Sequence, residues 1–260
     1  MSKLRFAMIG SGRVAHHLAP ALVRSGMECV VVYSPTLSHA EELAEQVQSM
    51  AVDNLSLVTK ADVDFVLLSI KDDALSDVIQ AFPSDYTQPL FHTSGSTPIE
   101  VLDRVKHYGV LYPMQTFSKD RVIKIEEVPF FIETNDEVSE KLLLEITKQI
   151  GAEDVHPLSS DNRGRLHLAS VFACNFTNHL YAISDQVLRE IGLDFGILQP
   201  LLEETLNKAL SYPPKDVQTG PALRGDKKTM DRHISLLENH PDYQELYKIL
   251  SESIYRQEHK

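Results

Sequence analysis

From residue 4 to residue 93, short apolar runs alternate with segments of helical spacing. The runs 4–9, 29–33, 64–70 and 90–93 are compact and rich in β-branched or aromatic residues, so they predict strands. Between them, Val14, Leu18, Leu22 and Val23 repeat on one face of a helix over 14–25. Residues 38–50, rich in Ala, Glu and Gln, and residues 73–81 predict two more helices. Strands separated by helices predict βαβ units and a parallel sheet, and right-handed crossovers make it doubly wound. Residues 109–112, 129–133 and 152–156 predict added strands, with a helix over 136–150.

The pattern changes after residue 157. Residues 163–191 hold Leu166, Ala169, Ala173, Phe176, Leu180, Ile183 and Val187 at helical spacing, and Gly192 reads as the stop. Helices follow over 195–210, 227–237 and 243–256. The chain therefore divides into a doubly wound α/β domain over 1–157 and an all-α domain over 158–260.

Composition narrows the function. The chain has 260 residues, 43% apolar and 24% charged, enough for a sizeable core. A formal charge of −12 without a basic block argues against nucleic acid as a partner. No stretch is long and apolar enough to span a bilayer, and 1–9 runs straight into a glycine motif, so it reads as a strand and not a signal peptide. Two cysteines, Cys29 and Cys174, form no disulfide framework, which suits the cytoplasm; Cys174 reads as a small core residue. His156, His179, His233 and His240 match no metal-ligand spacing, so no metal is expected.

The chemistry-bearing motif is Gly10-Ser11-Gly12-Arg13-Val14-Ala15, a GxGxxA turn between a strand and a helix. Gly10 permits the tight turn, Gly12 lets a pyrophosphate approach the backbone, and Ala15 keeps the helix close to the sheet. The helix N-terminus then offers N–H groups to the phosphates. At the end of the second strand, where NAD-selective folds place an acid, stands Tyr33-Ser34-Pro35-Thr36. Without that carboxylate NADP is favoured over NAD, with Ser34, Thr36 and Arg13 as candidate partners of the 2′-phosphate. A plain Ser-Pro turn is the other reading.

Two segments fall at the carboxyl ends of strands, where open sheets bind ligands. In Ser69-Ile70-Lys71-Asp72-Asp73, Ser69 and Ile70 would border the cofactor, and Asp72 or Asp73 would cap the next helix. In His92-Thr93-Ser94-Gly95-Ser96, Ser94 would meet the reacting end of the cofactor; Ser96 or Thr97 would otherwise cap the helix before Pro98.

GSGRVA, HTSGS, YPMQTF (112–117), HLASVFACNF (167–176) and TGPALRGD (219–226) occur in that order. With these motifs the chain resembles, over nearly its full length, bacterial Rossmann-like proteins that carry the domain of unknown function 2520 at the C terminus. They are similar in turn to pyrroline-5-carboxylate reductase, prephenate dehydrogenase and deazaflavin-dependent NADP reductases. The resemblance implies a Rossmann domain joined to a 6-phosphogluconate dehydrogenase-like helical domain that often dimerises. It also implies an oxidoreductase that passes hydride to or from a C=O or C=N carbon of a small, anionic metabolite.

Carried over residue by residue, Tyr112-Pro113-Met114-Gln115 stands where relatives have His-Pro-x-Gln. Tyr112 can donate a proton but is a poor base at neutral pH. Gln115 and Thr116 offer polar contacts. On the long helix, His167, Cys174 and Asn178 share a face by α-helical spacing, with Asn175 on its shoulder. The resemblance turns His167 and Asn175 to the substrate cleft. His167 is then either an acid-base group or an interface histidine. Arg224 would clamp a substrate carboxylate or phosphate, or form a structural ion pair. Asp226 reads as an N-cap. The catalytic set is thus His167, Tyr112, Asn175 and Ser94, with Arg224 and Gln115 for substrate. A non-catalytic sensor of nucleotide or metabolite is the alternative, and an assembly protein whose dimer is its product a third; a homodimer through the helical domain is expected.

Overall fold

A computed structural model describes residues 3–259, and the chain divides into two compact units that part at Cys174/Asn175. The first unit is an eight-stranded sheet in the order β3-β2-β1-β4-β5-β6-β7-β8. Its strands are β1 (Arg5–Ile9), β2 (Glu28–Tyr33), β3 (Met50–Val52), β4 (Phe65–Leu68), β5 (Leu90–His92), β6 (Tyr108–Pro113), β7 (Phe130–Thr134) and β8 (Val155–Pro157). All neighbours pair parallel except β6 and β7, which are antiparallel.

The alternation of side chains along each strand splits the core in two. Phe6 and Met8 of β1 enter one apolar cluster, and Ala7 and Ile9 enter the other. The first cluster is covered by α1 (Arg13–Arg24), α2 (Leu37–Val47) and, later in the chain, α5 (Glu137–Gln149). The second is covered by α3 (Leu55–Val58) and α4 (Asp72–Ile79), with a 3-10 turn at Ile99–Leu102. This is the α/β doubly wound arrangement expected from the sequence.

Four expectations need correction. The N-cap of α4 is Lys71, so Asp72 and Asp73 stand in the first turn, where their charges face the positive end of the helix, and neither caps it. The turn after Pro98 is not capped by Ser96 or Thr97. Instead Ser94 Oγ accepts from the N–H groups of Ser96 (3.1 Å) and Thr97 (2.9 Å). The long helix is not uniform: α6 (Ser160–Ser170) passes through a π-helical turn at Val171–Phe176 into α7 (Thr177–Arg189). A π turn takes up an extra residue, so the α-helical spacing that joined His167 to Cys174 and Asn178 does not carry across it. Cys174 is exposed, not a core residue.

Buried polar contacts tie the start of α6 to the sheet, within the unit that ends at Cys174. The second unit continues with α8 (Gln199–Ser211), α9 (Lys227–Leu236) and α10 (Pro241–Glu258). Asp226 caps α9, accepting from Thr229 N–H at 3.1 Å. No helix among the described residues is long and apolar enough to cross a membrane.

Candidate functional site

The strand order reverses between β1 and β4, and a cleft of about 780 Å³ opens at the carboxyl ends of the strands there. Each flanking strand delivers part of its wall. Gly10, Ser11, Gly12, Arg13 and Val14 follow β1, and Tyr33, Ser34 and Pro35 close β2. Ser69, Ile70, Lys71 and Asp72 follow β4, and Thr93 and Ser94 follow β5. Ala74, Asp77 and Val78 of α4 complete the wall, a contribution the sequence reading missed. Thr36 is exposed and lies outside the lining.

The glycine turn is built for close approach. Gly10 has φ +105°, and a Cβ there would stand 2.2 Å from the Ser69 carbonyl oxygen. At Gly12 the nearest atom to such a Cβ would be 3.9 Å away, so the backbone is open on that side. No side chain caps α1 and its first turn holds no acid, so its N–H groups and dipole are available to an anion. At the β2 end, Ser34 is buried in the cleft wall, and Ser34-Pro35-Thr36 after the strand include no acid. These residues fit a dinucleotide, with the pyrophosphate at the α1 N-terminus.

A second group of residues gathers around Gly95. Tyr112 stands on β6 directly opposite Phe131 of β7, with ring centroids 6.3 Å apart. Its Oη lies 3.2 Å from His167 Nδ1 on α6, and the two rings meet edge to face. A Cβ on Gly95 would fall 2.6 Å from His167 Nδ1 and 2.8 Å from Tyr112 Cζ. The pair therefore packs on the bare backbone of the loop that carries Ser94. Burial pushes the Tyr112 phenol above its usual value, partly opposed by the Arg163 charge, so it keeps its proton at neutral pH. Ser94 is half-buried, and its hydroxyl also meets Thr97 Oγ1 at 3.0 Å.

Beneath this loop lies a buried polar network that the sequence did not reveal. Arg163 is 1% exposed. It donates to Glu133 Oε2 (2.5 Å), the Thr97 carbonyl (2.6 Å) and Ser160 Oγ (3.1 Å). Glu133 also accepts from the Ser160 N–H and hydroxyl. Burial works to raise the Glu133 carboxyl, but the Ser160 and Arg163 hydrogen bonds outweigh it and hold it below the ordinary value. His92, fully buried at the end of β5, accepts from Ser94 N–H at Nδ1 (3.1 Å). Burial, and then the Arg163 charge, push its pKa down to about 4, so the ring is neutral.

Three predicted residues remain. Gln115 is exposed and its Oε1 accepts from Thr116 N–H at 2.8 Å. Asn175 and Arg224 belong to the second unit and are exposed, with Arg224 on the loop before α9. Among the described residues no three His, Cys, Asp or Glu side chains are arranged to hold a metal.

A parallel sheet with an uncapped glycine turn under a cleft at its switch point defines a dinucleotide-binding Rossmann protein. Comparison with known proteins adds the family. Residues 5–90 match the family described as NADP oxidoreductase, coenzyme F420-dependent, and residues 128–254 match the domain of unknown function DUF2520. A protein from Bacteroides fragilis described as a putative NADP oxidoreductase is 37% identical, with 98% of each chain covered and a TM-score of 0.88. The chain belongs to this family, in which an NADP oxidoreductase region precedes a DUF2520 region.

Two more distant structures share the fold. A reductive aminase from Aspergillus terreus in complex with NADPH and ethyl levulinate is 14% identical over 98% of this chain and 95% of its own, with a TM-score of 0.72. A pyrroline-5-carboxylate reductase from Streptococcus pyogenes is 14% identical over 98% and 99%, with a TM-score of 0.57. No curated protein matches the chain.

Proposed function

We propose that the protein is an NADP-dependent oxidoreductase acting on a C=O or C=N carbon of a small, anionic metabolite. The observation that carries this reading is the open cleft over Gly10–Val14, with Ser94 and Ser69 at its far wall. The family's NADP oxidoreductase region and the NADPH named with the Aspergillus enzyme support the same cofactor. When bound, NADP supplies or accepts the hydride.

The chain's own residues would do the rest. Backbone N–H groups at the start of α1 bind the pyrophosphate. Ser34, with Arg13 across the cleft wall, holds the 2′-phosphate, and the lack of an acid after β2 removes repulsion there. Thr36 is a lesser candidate, given its exposure. Ser69 and Ile70 border the cofactor, and Ser94 fixes its reacting end. Tyr112 Oη, protonated and hydrogen-bonded to His167, supplies the proton that balances hydride transfer to carbon. Asn175, Arg224 and Gln115 are proposed to contact substrate, with the Arg224 guanidinium donating to a carboxylate or phosphate of the substrate.

We also propose a homodimer through the helical unit. Helices α7, α8, α9 and α10 bury no side chain, while Leu201, Leu206, Leu210 and Ile249 are more than half exposed. So much uncovered apolar surface marks an interface. The two free cysteines suit a reducing, cytoplasmic setting.

The test is NADPH oxidation across a panel of small keto acids and cyclic imines. Turnover that falls in Tyr112→Phe and His167→Ala with NADPH affinity kept supports the reading. Binding without turnover of any member, and no effect of either variant, supports a sensor instead.

A further inference from the structure

The Arg163 network serves no step proposed above, yet it touches every segment that frames the Tyr112–His167 pair. Arg163 spans from Glu133 on β7 to the Thr97 carbonyl in the β5 loop. Ser160 Oγ meets Glu133, Arg163 and the Ile99 N–H within 3.1 Å, so the first turn of α6 is fastened to both. One helical turn beyond Arg163, on the same face, stands His167. The strand that carries Glu133 also carries Phe131, the cross-strand partner of Tyr112. On the loop side, Thr97 and Ser96 donate to Ser94 Oγ, and Ser94 donates to His92. The guanidinium reaches Glu133 from one nitrogen and the Thr97 carbonyl and Ser160 from another, a spread that a lysine's single nitrogen cannot reproduce.

We propose that Arg163 and Glu133 are positioning residues: a buried clamp that sets His167 on Tyr112 and holds the Ser94–Thr97 loop beneath them. The inference rests on the reading of that pair as the proton-supplying group of an NADP enzyme. Its geometry, however, can be tested without nucleotide. Arg163 touches neither cleft nor pair directly; it acts by fixing the three segments that do. His92, kept neutral, is the fixed acceptor under the loop.

The experiment records histidine ¹⁵N spectra of the full chain, with the His167 signals assigned by His167→Asn. Tyr112→Phe defines the Nδ1 shift of a His167 that has lost its partner. Arg163→Lys keeps the charge and loses the second nitrogen that reaches Thr97 and Ser160; Glu133→Gln keeps the shape and loses the charge. Ser160→Ala removes one hydroxyl from the same network and serves if either of the others fails to fold. The clamp predicts that folded variants move the His167 Nδ1 signal toward its Tyr112→Phe position, and that Arg163→Lys does so more than a lysine-for-arginine change on the exposed surface, such as Arg189→Lys. Signals that overlay the wild type while the melting temperature falls would show a merely structural ion pair and overturn the proposal. NADPH titration of the wild type is run beside it. A shifted His167 in a protein that binds no NADPH would sink the cofactor reading and leave the clamp standing.

Discussion

Replacing Gly95 by alanine tests the seat of the Tyr112–His167 pair. The backbone at Gly95 lies outside the left-handed region, so the substitution adds no dihedral strain and acts through space alone. The new methyl would lie 2.6 Å from His167 Nδ1, 2.9 Å from His167 Cγ and 2.8 Å from Tyr112 Cζ. Tyr112 is packed against Phe131 inside the sheet and has little freedom to retreat. His167 is half-buried, so its ring swings away and the Tyr112 hydrogen bond is lost. That bond is worth about 1 kcal/mol, and overpacking adds a cost within ~1–3 kcal/mol. At roughly 2–4 °C per kcal/mol for a unit of this size, the combined cost of about 2–4 kcal/mol lowers the melting temperature by about 4–16 °C. Circular dichroism melts measure the loss, and the His167 ¹⁵N shift reports the displaced ring. An unchanged melting temperature with an unchanged His167 signal would refute the packing described here.

Other outcomes follow from single groups. His92 is held neutral, its pKa pushed down to about 4 from an ordinary 6.5. As pH falls from 6.5 towards 4 the unfolded chain takes up this proton and the folded chain does not. Stability therefore drops by about 3 kcal/mol across that window and levels off below it. Urea melts at several pH values should show this slope, and His92→Gln should flatten it. Gly10→Ala puts a methyl against the Ser69 carbonyl at a positive φ, and strain of ~1–3 kcal/mol in the turn should weaken NADPH binding roughly tenfold or more by calorimetry. Asp226→Ala removes the cap of α9 and should lower stability by about 1 kcal/mol in a denaturant melt.

Much of the framework could be read from the order of residues because burial imposes a period. The run 29–33 is apolar at every position, as a strand covered on both faces must be, and it forms most of β2. Asp226, read as an N-cap, caps α9, and the helix expected over 136–150 forms with Asp136 as its N-cap. The edge strand β3 escaped because three residues with Met50 exposed carry no period. The reversal of β7 was missed, although residues 114–129 contain only a short 3-10 turn and no crossover helix of the kind a parallel return requires. The π turn leaves no mark, since its residues keep apolar spacing and lack Gly or Pro.

At the site, the glycine turn was legible because its chemistry is local. The Arg163–Glu133 pair was not, because its partners stand on β7 and α6 and only the fold brings them together. Gly95 stands in the segment expected to border the cofactor, and only the fold shows it as the platform for two rings. His92, read as part of an apolar strand, is buried as expected but serves as the acceptor under Ser94.

The account turns on whether the cleft above Gly10–Val14 seats NADP. Calorimetric titration of the purified protein with NADPH and with NADH asks this directly. The expected result is saturable binding of NADPH, tighter than that of NADH and weakened roughly tenfold or more in Gly10→Ala. No heat from either nucleotide at millimolar concentration, or equal binding by wild type and Gly10→Ala, would contradict it.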